Sequence, residues 1–191
     1  RIRCAKTTGH GTETFKEGIM NSCNPVFIDV GARVGVDRMY EYYNKLGLFE
    51  CSGVDLPGEA SSIMHKKENV GNVELATMSF GQSFQITPLQ LLRATGAVVN
   101  GGTLVTPHFA MYATNEENQV VKTYQFDTKE QVISKDTSET MKEMLEAVVS
   151  EGGGSKGAVE GYRIAGKTAT SEKLPRGNGK YIASFIGIAP A

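Results

Sequence analysis

The chain has 191 residues and a formal net charge of -1, with 40% hydrophobic and 21% charged residues. That composition fits a globular domain with a real core and gives no field that would attract nucleic acid or an anionic membrane surface. No apolar run approaches the roughly 18 residues that a membrane span needs, and the first residue is Arg1 rather than Met, as expected of a piece of a longer protein.

Residues 12–20 read as a helix with Thr12 as its N-cap. Ser22-Cys23-Asn24-Pro25 follows at once. The proline disfavours helical backbone at Asn24, which predicts a break there, Asn24 capping a second helix and Pro25 opening it. That helix runs through Val26, Phe27, Val30 and Val34. A third covers 37–46 and stops at Gly47.

A polar, irregular stretch reaches to about Asn72, and a fourth helix is predicted from Val73 to Phe80. Thr87-Pro88 is the clearest helix start in the chain, and Asn100-Gly101-Gly102 ends that helix. Residues 104–112 and 119–126 then read as strands of a hairpin or small sheet. Met141, Met144, Leu145, Val148 and Val149 give 137–149 one apolar helical face. Two strands, 162–169 and 180–188, flank a polar loop at 171–179.

The cysteines are Cys4, Cys23 and Cys51. Their spacing fits no zinc motif, so they are expected to be free and incidental, with no metal and no cofactor. His10, between two glycines, is expected to be a loop residue rather than a base.

Gly161 to Thr168 matches the expression G-x-x-x-x-G-K-[ST] of a phosphate-binding loop. Such a loop needs a buried strand before it and a helix after it. The residues upstream are polar and glycine-rich, and Pro175, Gly177 and Gly179 follow. The alternation of Tyr162, Ile164 and Gly166 predicts a strand instead, with Lys167 and Ala169 on one face and Thr168 and Thr170 on the other.

Ser22-Cys23-Asn24 between two helices, Gly81-Gln82 with Ile86-Thr87-Pro88-Leu89-Gln90-Leu91, Asn100-Gly101-Gly102, and Lys167-Thr168-Ala169-Thr170 with Tyr181 to Pro190 occur in this order. Together they resemble the transpeptidase domain of class B, monofunctional penicillin-binding proteins, whose superfamily carries S-x-x-K, S-D-N and K-T-G motifs. The resemblance covers nearly all of the chain, but no Ser-x-x-Lys occurs in it.

The resemblance implies an α+β, penicillin-binding-protein/serine β-lactamase-like fold with an incomplete antiparallel sheet. Residues 1–191 would be a partial transpeptidase domain, helical over about 12–100 and 134–151, with its sheet part over about 160–191. It implies a D,D-transpeptidase that cross-links peptidoglycan stem peptides ending in D-Ala-D-Ala, through an acyl-enzyme on an upstream serine. It further implies acylation by β-lactam antibiotics and contacts with cell-wall synthesis membrane proteins. The parent would be anchored on the extracytoplasmic face of the bacterial membrane.

By the same resemblance, Ser22 relays protons and Asn24 holds the lysine of the missing motif and the substrate amide. Lys167 supplies positive charge and supports Ser22. Thr168, Ala169 and Thr170 line the substrate, Thr168 and Thr170 binding its carboxylate, with the Thr170 N–H as an oxyanion donor. The family carries glycine where this chain has Ala169. This polypeptide by itself is expected to be inactive. The other readings are a β-lactam sensor or cell-wall scaffold of the same fold, and a nucleotide-binding phosphate loop.

Overall fold

The computed structural model describes residues 2–173, 175 and 177–191. Helices and antiparallel strand pairs occupy separate stretches of the chain, an α+β arrangement.

Helix α1 (Phe15–Met20) begins at Thr14, two residues later than expected. Only Thr14 has a glutamate three residues on. Its hydroxyl accepts from the Glu17 N–H at 3.3 Å while its own N–H donates to the Glu17 carboxylate at 2.7 Å, a reciprocal cap that Thr12 cannot form. Helix α2 (Asn24–Lys45) is capped by Cys23 rather than Asn24. The Cys23 carbonyl accepts from the Phe27 N–H, which makes Cys23 the residue before the first turn. The two helices expected over this stretch are one kinked helix. Gly35 sits at φ 76°, ψ 166° and bends it there, a conformation that suits a residue without Cβ.

Beyond the kink, Tyr40 and Tyr43 pack with Phe49 and Phe84, ring centroids 5.4 to 6.3 Å apart. The Tyr40 hydroxyl donates to the His65 carbonyl at 2.7 Å and ties down the irregular stretch. Helix α3 (Asn72–Met78) packs on this part of α2, with Met78 buried.

Helix α4 (Pro88–Val99) starts where expected, with Thr87 and Gln90 capping each other. The strand expected over 104–112 is two short strands, β1 (Leu104–Val105) and β2 (Tyr112–Thr114). Pro107 lies between them and has no N–H for a ladder. Strand β2 forms a hairpin with β3 (Val120–Thr123), and β1 pairs with β4 (Thr128–Lys129). Leu104 is fully buried against Ala97 and Val132, with Leu46 alongside.

Helix α5 (Lys135–Ser150) is capped by Ser134 and joins the two halves of the fold. On one side, Gly153 donates to the Met20 carbonyl at the end of α1. On the other, Glu146 holds Arg163 through two bonds of 2.8 and 2.6 Å, just before strand β5 (Ala165–Glu172). Strand β5 pairs antiparallel with β6 (Tyr181–Ile188), with Lys167 opposite Ile186 and Ala169 opposite Ser184. The strand starts three residues later than expected and keeps Ser171 and Glu172, which shortens the predicted loop. Positions 174 and 176 of that loop lie outside the described residues.

Candidate active site

The turn between α1 and α2 is tight. The Cys23 N–H donates to the Gly18 carbonyl at 2.9 Å, and Ser22 takes the left-handed conformation at φ 50°. Gly18 makes the approach feasible: a Cβ there would meet Val26 Cγ1 at 2.6 Å. The result lifts the Ser22 hydroxyl out of the helical register toward β5. Lys167 comes to meet it. Its Nζ donates to Ser22 Oγ and to the Thr168 carbonyl, the latter at 3.0 Å. Lys167 is half-buried, and that burial pushes its pKa below the ordinary lysine value.

Strand β5 can run so close to β6 because of Gly166. A Cβ there would meet Phe185 Cζ at 2.6 Å and the Ile186 carbonyl oxygen at 2.7 Å. Lys167 and Ala169 face an apolar groove walled by Leu91, Ala94 and Val98 of α4, Leu145 of α5, and Ile186 of β6. Strand alternation puts Thr168 and Thr170 on the opposite face, and both are exposed. The strand continues through Lys167 to Glu172 where a phosphate loop would turn into a helix. This removes the nucleotide reading.

Of the residues singled out in the sequence, Ser22 and Lys167 are brought into direct contact. Asn24 is not joined to Lys167. Its Nδ2 donates to the Arg3 carbonyl at 3.2 Å, which draws the N-terminal stretch against the start of α2.

Residues 2–191 match the family described as the penicillin binding protein transpeptidase domain. The chain belongs to this family. Its relatives are class B penicillin-binding proteins. Stage V sporulation protein D of Bacillus subtilis is 44% identical over 195 residues, covering the whole chain and 30% of that protein. The probable peptidoglycan D,D-transpeptidase PenA of Neisseria meningitidis is 32% identical over 179 residues, covering 91% of the chain and 29% of that protein. The chain therefore spans about 30% of the length of these curated relatives. Among solved structures, penicillin binding protein 3 of Mycobacterium tuberculosis superposes with a TM-score of 0.88 at 28% identity, covering 98% of this chain and 45% of that one. The same protein has been solved in complex with ampicillin. These matches bear out both the fold class and the family expected from the motif order.

One cluster escaped the sequence. Cys4, His10 and Cys23 converge behind Ser22 and Asn24, with all ligand-type atoms within 4.8 Å of one another. Burial, then the adjacent Glu13 carboxylate, pushes the Cys23 thiol up to about 11. The contact with Cys23 in turn leads the effects that lower the pKa of Glu13. Nothing in the spacing signals this, because the loop carrying His10 has no periodicity. It folds back at Gly9 and Gly11, both with positive φ.

Proposed function

We propose that this chain is the Ser-x-Asn and Lys-Thr part of a peptidoglycan D,D-transpeptidase. The single observation that supports this is the Lys167–Ser22 hydrogen bond. Because Lys167 donates to Ser22 Oγ, the Ser22 O–H is left to donate elsewhere. A nitrogen leaving from a cleaved D-Ala-D-Ala bond is a suitable acceptor. Burial of Lys167 makes its proton easier to give up and so fits it to recharge Ser22.

In this reading the nucleophilic serine and its lysine belong to a segment outside these residues. In this reading that segment seats in the apolar groove beside Lys167 and Ala169, whose walls come from α4, α5 and β6. The serine attacks the penultimate D-Ala carbonyl, the terminal D-Ala leaves, and an amine of a neighbouring stem peptide resolves the acyl-enzyme. The exposed hydroxyls of Thr168 and Thr170 suit the substrate or β-lactam carboxylate, with the Thr170 N–H as one oxyanion donor. Ala169 lines the approach, and Asn24 turns to the incoming lysine once that segment is in place. Residues 1–191 then form one unit, helical over about 12–100 and 134–151 and sheet over about 160–191. No helix among the described residues is long and apolar enough to cross a membrane. Action on the extracytoplasmic face, beside other cell-wall synthesis proteins, would rest on an anchor elsewhere.

The test is labelling with a fluorescent penicillin. The complete protein should be labelled stoichiometrically, and the 191-residue chain alone should not. Labelling of the isolated chain would defeat the proposal of an outside nucleophile. A complete protein that is never labelled would instead be a scaffold or relative without catalysis.

A further inference from the structure

Strand β5 leaves an extended ligand one direction in which to run. Its start is closed: Ala165 and Gly166 are buried, and Arg163 just before them is held by Glu146. Past Thr170 the strand borders a cavity of about 320 Å³, lined by Met64, His65, Gln82, Phe84, Ser171 and Glu172 among others. Phe84 also lines the groove beside Lys167 and Ala169, so the two spaces meet at its ring. Ser171 and Glu172 alternate in facing, yet both line the cavity. It therefore wraps around the edge of β5 that β6 leaves open.

The walls of this cavity are held in place. Ile63 and Gln85 exchange two backbone bonds, of 2.8 and 2.9 Å. The Tyr40 hydroxyl fixes the His65 carbonyl. Ser83 takes the left-handed conformation at φ 66°, and its hydroxyl donates to Thr77 Oγ1 at 2.9 Å. A residue with a Cβ keeps that backbone only where its surroundings hold it.

We propose that this cavity receives the side chain of the stem-peptide residue that precedes the two D-alanines, and that it selects a side chain ending in a primary amine. The inference rests on the transpeptidase reading and extends it to the donor peptide. An extended peptide advances about 3.3 Å per residue. With its scissile bond beside Ala169 and the start of β5 closed, the preceding residue lies level with Ser171 and Glu172, both half-buried.

Glu172 sets the selectivity. Among the described residues it is the only Asp, Glu, Lys or Arg that lines the cavity. Its Oε1 accepts from the Gly177 N–H at 2.6 Å, which orients the carboxylate. Oε2 has no hydrogen-bond partner among the described residues and is left for a ligand. An ammonium placed there makes a charge-assisted bond, while Met64 and Phe84 offer apolar surface to the methylenes that carry it. A side chain ending in a carboxylate meets like charge. One ending in an amide or a methyl group gives up the ionic contact.

The test uses the complete protein and three peptides of the form acyl-X-D-Ala-D-Ala, with X as lysine, Nε-acetyl-lysine or norleucine. Release of D-alanine gives kcat/KM for each. The lysine peptide should be favoured about 10–100-fold over the other two, the range of one hydrogen bond to a charged group. This comparison needs no variant. Glu172→Gln keeps an oxygen for the Gly177 N–H and removes the charge, and it should erase most of the preference.

Labelling by a fluorescent penicillin, run in parallel, reports on the transpeptidase reading. A protein that takes the label but cleaves the three peptides equally, or cleaves none, overturns the amine subsite alone. So does a preference for lysine that survives Glu172→Gln in full. A protein that neither takes the label nor releases D-alanine overturns the transpeptidase reading, and the subsite with it.

Discussion

Lys167 Nζ donates to Ser22 Oγ from a residue 145 positions further along the chain. Two helices, a strand and the bridging α5 have to be in place for that contact to form. If the two side chains act as one proton relay, removing either disables the same step. Ser22→Ala and Lys167→Met should each slow acylation of the complete protein by a penicillin about 10²–10⁴-fold. The double variant should be little slower than the worse single one, as expected of groups that work as a unit. Effects that multiply would mean the two residues act separately.

Burial lowers the Lys167 pKa, which makes a signed prediction about stability. The unfolded chain holds that proton more tightly than the folded one. Below the folded pKa both states are protonated, and the penalty for burying the charge is fully present. As pH rises through the folded value toward the ordinary lysine range, the folded state sheds the proton and the penalty is relieved. Lys167→Met carries no such term. The difference in Tm between native protein and variant should therefore move in favour of the native protein as pH rises across this alkaline window. A flat difference would show that burial does not set the titration of this lysine.

How much of this could be read from sequence depended on where the information sits. The start of α4 was legible because Thr87-Pro88 and Gln90 carry their signal within four residues. The start of α1 was misplaced by two residues, although Thr14 and Glu17 carry the same type of signal. The cap of α2 is Cys23 and not Asn24 because the first helical bond runs from the Phe27 N–H to the Cys23 carbonyl, while the Asn24 side chain holds the Arg3 carbonyl, a contact no local pattern encodes. The Ser22–Lys167 pairing became visible only through motif order, since nothing local links the two residues. The convergence of Cys4, His10 and Cys23 depends on a loop closing, and no local pattern in the sequence encodes it.

Gly166 tests the packing that brings Lys167 into position. The Ile186 carbonyl oxygen, 2.7 Å from the site of an added Cβ, is backbone in the paired strand and cannot rotate away. Gly166→Ala should therefore destabilise the fold by about 1–3 kcal/mol, the usual range for overpacking. It should also slow acylation, because β5 must move off β6 and carry Lys167 with it. Denaturant unfolding and penicillin labelling measure the two effects. A variant as stable as the native protein would show that the strands have room to spare.

Ala169 departs from the glycine of the family at a position that faces the groove beside Lys167. In the proposed arrangement its methyl group takes up space beside the nucleophile without offering any polar contact. Ala169→Gly should therefore speed acylation, by up to about tenfold for β-lactams with bulky side chains and less for small ones, since one methyl group in an apolar pocket discriminates to that order. The strand should hold its register, because Ala169 pairs with Ser184 through backbone groups that the substitution leaves unchanged. Acylation rates for a bulky and a compact penicillin, compared between native protein and variant, separate the steric effect from a general one. Equal acceleration of both compounds would mean that the methyl group limits the mobility of β5 and not the access of the ligand.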